Sequence, residues 1–295
     1  MSLKRYLIGE TLESFRQYRN LSIQDLSKDI CSEDELIAFE KEKAYPSLEN
    51  LDKLAERLDI DLTYFFNVAT NSTINYSNAV IRIINKHKRY WNYHAIYEIV
   101  QKELTNPIFQ TGALKQFLIW HQGIVVFYLE NDFAKAINLL NEAINITNPN
   151  RRGLNEREIE ILTSIAILCK EEENYGNAIS IFKDALRNLE KLPYILEPKG
   201  KLKALFGLSQ ALTETEEYNE SLIYCQKGID LCINEELLYL FANFHYQAGE
   251  NHIKLGNKEK GREFLNESIY ILKMQKNDKF IKIIETEMEK LLYKC

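Results

Sequence analysis

The chain has 295 residues, 45% hydrophobic and 27% charged, enough for one large domain or two smaller ones. Eleven Gly and five Pro are too few for an all-β protein built on tight turns. The net charge of −6 gives no general sign of a nucleic-acid binder, and its bulk lies in residues 1–65, where nine Lys and Arg face fourteen Asp and Glu.

Near the start, Lys4, Arg5, Glu10 and Glu13 interrupt any apolar run, so a secretory signal is not expected. The most apolar stretch, residues 114–129, contains Lys115, Gln116, His121 and Gln122 and is too polar to span a bilayer. Five cysteines, at 31, 169, 225, 232 and 295, form no Cys-x-x-Cys pair. They point to a reducing, cytoplasmic setting rather than a disulfide framework or a zinc ribbon.

In the first seventy residues, apolar positions recur at helical spacing in short blocks: Ile8, Leu12 and Phe15; Leu26 and Ile30; Leu36 and Phe39; Leu51, Leu54, Ala55 and Leu58. Each block has its own start signal. Ser22 precedes the second, Ser32 with Glu35 forms a capping box before the third, and Ser47 after Pro46 opens the fourth. Four or five short helices follow, with only Cys31 and Ser32 between the second and third, the tight corner of a helix-turn-helix.

The run from Phe15 to Ile60, with Arg16, Arg19, Leu21-Ser22, Leu26-Ser27, Leu36, Phe39-Glu40, Tyr45-Pro46-Ser47 and Leu54-Ala55, resembles the lambda-repressor/Cro-like helix-turn-helix domains. The resemblance implies that the helix begun at Ser32 enters the major groove of double-stranded DNA and that Ser22 caps a helix over the backbone. The DNA-facing residues it implies are Arg16, Arg19, Ser22, Gln24, Ser32, Glu33, Asp34, Lys41 and Lys43. Glu33 and Asp34 depart from the family's Gln, Ser and Arg. Acids can accept from cytosine N4, but facing phosphates they are costly without flanking cations. The alternative is a fold that persists while DNA contact is weakened or lost.

From about residue 75 the sequence repeats. Segments 130–144, 172–186, 216–229 and 255–269 share a polar turn, then Phe133, Tyr175, Tyr218 or Lys258, spaced 42, 43 and 40 residues apart. Small residues follow at two fixed places: Ala136 and Ala143, Ala178 and Ala185, Ser221 and Gly228, Gly261 and Ser268. Small side chains there let the second helix of a hairpin lie close on the first. This pattern looks like tetratricopeptide repeats with slightly long helices, a looser unit at 87–104 and a cap at Asp278 to Tyr293. The expected fold is all-α. A helix-turn-helix domain occupies 1–68, a linker helix 69–85, and a superhelix of about five hairpins 86–295.

The two halves together resemble the RRNPP family of quorum-sensing regulators, most densely at residues 31–47, 86–90, 114–122 and 244–250. The resemblance implies a homodimer whose repeat groove binds a short imported peptide and so resets two DNA-binding heads, a population shift. The repeat register places His121, Thr163, Phe206, Gln210, Asn243, Tyr246 and Glu250 on the inward side, with Lys203 at a rim. Lys86 and Lys88 match family positions near the groove entrance, suited to a carboxylate. Thr163 and Gly207 stand where the family often has Asn, so the cognate peptide should differ from those of near relatives.

Other constellations carry less. His245 and His252 fall at repeat core positions with no carboxylate or Cys to complete a metal set, and no cofactor or metal is expected. Cys31 reads as a packing thiol more readily than a redox sensor, and Cys295 as a reactive chain end. No GxxxxGK[ST], GxSxG or HExxH occurs, and nothing asks for an enzyme. Against the peptide-gated regulator stand two alternatives: a tetratricopeptide module with a degenerate helix-turn-helix that docks or sequesters a protein, and a module that acts on a signalling enzyme.

Overall fold

The computed structural model of the chain describes residues 6–70, 72–110 and 112–293; Cys295 lies outside them. The described residues form sixteen α-helices, arranged in two compact units that meet in sequence between Phe109 and Gln110.

The first unit begins with five short helices: α1 (Ile8–Tyr18), α2 (Ile23–Ser27), α3 (Glu33–Glu40), α4 (Leu48–Arg57) and α5 (Leu62–Val68). Each of α2 to α5 starts on an Ser or Asp whose side chain accepts from the first turn, satisfying otherwise orphaned N–H groups. Ser22 with Asp25 and Ser32 with Glu35 both make complete capping boxes. Ile8, Leu12, Leu26, Leu36, Phe39, Leu51, Leu54, Leu58 and Phe65 pack into one core. An isolated antiparallel bridge, Tyr6 to Thr70, joins the two ends of this bundle. At Gly9 a β-carbon would sit 2.1 Å from the Phe39 carbonyl oxygen, so α1 crosses α3 at a distance only glycine permits.

Inside this bundle the Arg16 guanidinium grips Glu40 with two bonds, Nε–Oε1 at 2.6 Å and Nη2–Oε2 at 2.8 Å, and donates to the Leu21 carbonyl at 3.1 Å. Bidentate geometry compensates for drawing both charges away from water. The unit continues through α6 (Ser72–Arg89) and α7 (Tyr93–Glu103), which pack together, with the Tyr76 hydroxyl donating to Glu103 at 2.7 Å.

The second unit is a stack of helical hairpins. Its first helices are α8 (Gly112–Val125), α10 (Glu156–Glu171), α12 (Pro198–Glu214) and α14 (Phe241–Lys254); α8 runs on through a π turn at Val126–Glu130. Its second helices are α9 (Phe133–Thr147), α11 (Tyr175–Glu190), α13 (Tyr218–Asn234) and α15 (Lys258–Met274), and α16 (Asp278–Tyr293) caps the stack. The second helices begin at the four residues whose spacing revealed the repeat. Before each of them the chain turns through a left-handed residue, Asn131, Glu173, Glu216 and Gly256 in order.

The small residues lie where the paired helices meet, and Ala136, Ala143, Ala178, Ala185, Ser221 and Ser268 are fully buried. At Gly228 a β-carbon would fall 2.3 Å from the Phe244 ring, so that ring rests directly on the backbone of α13. Successive first helices, α10 with α12, α12 with α14 and α14 with α16, also pack on one another. No successive pair of second helices packs as closely, which makes the first helices the inner layer of a curve.

Removing Arg16 alone strands an almost fully buried carboxylate. Arg16→Met should therefore cost about 3 kcal/mol of helix-turn-helix stability, while the Arg16→Met, Glu40→Met pair recovers most of it in a denaturation double-mutant cycle. His252 on α14 is buried against Phe264, with Nδ1 lacking a hydrogen bond, and burial followed by the Lys260 charge lowers its pKa below 6.5. The unfolded chain thus takes up this proton first, so the stability His252 contributes is complete above pH 6.5 and is lost as pH falls below it. Thermal melts from pH 7.5 to 5.5 should show this acid-side loss in the native chain and a shallower loss in His252→Phe.

Candidate functional site

Helix α3 presents Glu33, Asp34 and Glu35 in its first turn, favourable for the helix dipole and unfavourable for a phosphate. Backbone and hydroxyl bonds from Ser32 hold the Glu35 carboxyl below its usual range, and the Ser22 hydroxyl and backbone do the same for Asp25. Gln24, Ser27, Lys28, Cys31, Ser32 and Glu33 line a cleft of about 480 Å³ between α2 and α3. Gln24, Ser32 and Glu33 are thus brought together, with Asp34 exposed beside them. Cys31 is half-buried there, its thiol pushed up by burial and by Glu35.

The cations divide into two groups. Arg16 and Arg19 were expected to approach phosphates; the fold draws Arg16 into the bundle and ties the exposed Arg19 to the end of α4. Arg16 is bound to Glu40 as described, and Arg19 donates to the Leu58 carbonyl at 3.0 Å and to Asp59 Oδ2 at 3.1 Å, tying α1 to the end of α4. Arg57 likewise donates to the Asp25, Leu26 and Lys28 carbonyls that end α2. Lys28, Lys41 and Lys43 are exposed around α3.

In the second unit each inner helix is covered on every side but one. From Gly200 to Thr213 of α12 all residues are buried except Lys201, Lys203, Phe206 and Gln210. From Ala242 to Ile253 of α14 all are buried except Asn243, Tyr246 and Glu250. Lys203, Phe206 and Gln210, and likewise Asn243, Tyr246 and Glu250, follow the i, i+3, i+7 spacing of a single helix face and form a stripe on each helix, while Lys201 lies on another face of α12. In the repeat register, Lys203 corresponds to Asn243, Phe206 to Tyr246 and Gln210 to Glu250, each pair 40 residues apart. On α10 the half-buried positions Glu160, Ser164 and Ile167 continue it.

Polar bonds fix this stripe. Lys203 Nζ lies 3.2 Å from Glu160 Oε1; burial opposes its charge, but Glu160, Tyr239 and Glu197 more than offset this and raise its pKa. Glu250 accepts from Gln247 at 2.9 Å and pairs with Lys254 at 3.0 Å. Behind it, Gln247 donates to Thr213 at 2.9 Å, Thr213 to Asn251 at 2.7 Å, and Asn251 to Ser221 at 2.8 Å. Buried networks of this kind give helices α12, α13 and α14 one mutual arrangement. Burial, then Glu250 and Glu287, push the Tyr246 phenol well above its usual range, so it remains a neutral donor.

Two expected members are not on the stripe. His121 is fully buried, its ring 4.2 Å from that of Phe117 and its Nδ1 2.8 Å from the Phe117 carbonyl. Thr163 is buried and donates to the Ile159 carbonyl at 2.9 Å. Lys86 and Lys88 lie in the last turn of α6, within the first unit. Conversely, Glu160 and Ser164 were missed, although Glu160 stands one repeat of 43 residues before Lys203 and the period alone could have located it. Ser164 accepts from Trp120 Nε1 at 2.9 Å, a contact that no spacing announces.

Residues 78–293 match the RNPP family C-terminal domain, and residues 12–65 match a helix-turn-helix family. No curated protein matches the chain. Among solved structures, Bacillus thuringiensis PlcR in complex with the peptide PapR7 and DNA is 23% identical with a TM-score of 0.81, over 95% of this chain and 99% of that one. The SHP pheromone receptor Rgg2 of Streptococcus dysgalactiae is 16% identical with a TM-score of 0.67, over 96% and 99%. ComR from S. thermophilus, in complex with DNA and its signalling peptide ComS, is 14% identical with a TM-score of 0.64, over 96% and 99%. These likenesses establish a shared fold. The family match spans most of the sequence: the chain belongs to the RNPP family.

Proposed function

We propose that this RNPP-family member is a transcription regulator whose binding to double-stranded DNA is controlled by a short signalling peptide lying along the stripe of α10, α12 and α14. The observation that carries the reading is the stripe itself: an uncovered face on successive helices, lined by half-buried amides and two aromatic rings, one of them a phenol. Asn243 and Gln210 suit the backbone of an extended peptide, Phe206 and Tyr246 its apolar side chains, and Lys203 and Glu250 its charges. Lys86 and Lys88 are assigned the capture of a carboxylate, as the family resemblance suggests. PlcR and ComR, each captured with a peptide and DNA, supply the analogy.

On this reading the chain acts as a cytoplasmic homodimer without cofactor or catalysis. Two helix-turn-helix bundles then meet two half-sites. No helix among the described residues is long and apolar enough to cross a membrane. Lys28, Lys41 and Lys43 would neutralise phosphates, while Gln24, Ser32, Glu33 and Asp34 would face the groove. One observation favours the second reading, a protein-docking module with a degenerate head: three acids open α3 while Arg16, Arg19 and Arg57 serve the fold.

Two measurements test the proposal. Binding of promoter DNA from beside its own gene should weaken steeply with salt. Replacing any one of Lys28, Lys41 or Lys43 by Ala should flatten the log–log slope by about 0.9 and leave sequence preference unchanged. A salt-independent or absent shift would leave only the docking module. For the stripe, Gln210→Ala and Asn243→Ala should each weaken capture from a random heptapeptide library about tenfold at unchanged melting temperature. Retention equal to wild type in both variants would remove the stripe from peptide binding.

A further inference from the structure

Beneath the stripe, the buried side chains of Gln247, Thr213, Asn251 and Ser221 form a row of hydrogen bonds. Gln247 Nε2 donates to Thr213 Oγ1 at 2.9 Å, and the Thr213 hydroxyl donates to Asn251 Oδ1 at 2.7 Å. Asn251 Nδ2 donates to Ser221 Oγ at 2.8 Å, and the Ser221 hydroxyl ends on the Ser209 carbonyl at 2.7 Å. The row has one sense, because a carbonyl oxygen only accepts and an amide nitrogen only donates. Thr213 Oγ1 also lies 3.0 Å from the Ser209 carbonyl, but among the described residues only donation to Asn251 gives that amide oxygen a partner. At the head of the row, Gln247 donates its second N–H to Glu250 Oε2 at 2.9 Å. Glu250 reaches the stripe: its side chain is 18% exposed, and Lys254 Nζ lies 3.0 Å from its other oxygen.

Elsewhere in the stack the same places are apolar. The positions equivalent to Asn251 are Ala211 and Leu168, and the position equivalent to Thr213 is Ile253, all three buried. A satisfied polar row adds little stability over apolar packing of equal volume, but it fixes the groups that it joins. Here it fixes which way the Gln247 amide faces. The nitrogen is held toward Thr213 on α12, so the carboxylate one turn further along α14 meets a donor and rests against it.

We propose that Gln247, Thr213 and Asn251 are positioning residues of the peptide site, acting through Glu250. They hold its carboxylate in one place as an acceptor, with its remaining lone pairs open to the N–H groups of an extended peptide. A side chain ordered in advance loses no rotamer freedom when the peptide arrives, and affinity rises by that difference. The inference rests on the stripe being the peptide site.

The test uses the full chain and the heptapeptide that the wild type enriches most from a random library. Affinity is read by fluorescence anisotropy and folding by thermal melts. Gln247→Met removes the link to Glu250 and leaves the Thr213 hydroxyl its acceptor, so the melting temperature should hold while affinity falls about tenfold. Thr213→Val should weaken the peptide in the same direction, and Thr213→Ser, which keeps the hydroxyl, should bind as wild type. Glu250→Gln should also lose about tenfold, and adding Gln247→Met to it should cost nothing more, because the row acts through that carboxylate. An additive loss in the double variant, or wild-type affinity in Gln247→Met while Gln210→Ala and Asn243→Ala are weakened, overturns the positioning role and leaves the stripe standing. Wild-type affinity in Gln210→Ala and Asn243→Ala as well removes the stripe reading, and this inference with it.

Discussion

Two helices of a hairpin can close only where one of them offers almost no side chain, and the repeat unit depends on that contact. Ala136, Ala143, Ala178, Ala185, Ser221, Gly261 and Ser268 occupy these crossings. At Gly261 a β-carbon would fall 2.8 Å from the Gly249 carbonyl oxygen of α14, while Gly228 admits the Phe244 ring of the next hairpin. Once the hairpins close, the first helices are brought against one another and curvature follows, because the layer in contact is shorter than the layer held apart. The stripe on α12 and α14 is a consequence: a helix packed on its partner and on both neighbours has only one face left. On the outer layer the helices stand apart and their side chains are free to differ from repeat to repeat.

The helix-turn-helix bundle is governed by a different constraint, the allocation of a small number of cations. A bundle of short helices has many exposed carbonyl ends and carries an acidic surface of its own. Arg57 serves the carbonyls that end α2, Arg19 those that end α4, and Arg16 neutralises the one buried carboxylate in the α1–α3 contact. Guanidinium suits these tasks because its planar fork bonds several oxygens at once. The lysines, with a single flexible charge, are left at the surface around α3.

The buried polar chain from Glu250 through Gln247, Thr213 and Asn251 to Ser221 joins the stripe to the outer helix α13. A group bound at Glu250 is thus connected, through buried hydrogen bonds, to the outer helix α13. Rigid, specific connections of this kind let a local contact bias the arrangement of whole hairpins, provided the contact differs between two arrangements.

Much of this was legible in the sequence. The cap at Ser22, the capping box at Ser32, the turn residues before each second helix, the small residues at each crossing and the stripe positions on α12 and α14 all follow from local hydrogen bonding or from a period, both of which one-dimensional information carries. The stripe positions on α12 and α14 were found because a repeat of nearly constant length carries one residue's environment to the next. That transfer failed at His121 and Thr163, where the neighbours of α8 and α10 cover a face that stays open further along. The pairing of Arg16 inside the bundle and of Arg19 at its surface was equally hidden, since their partners Glu40 and Asp59 are distant in sequence. Composition, caps and period determined which helices form and how they pair; only tertiary packing decided which polar side chains were drawn inside, because burial depends on neighbours that no local pattern names.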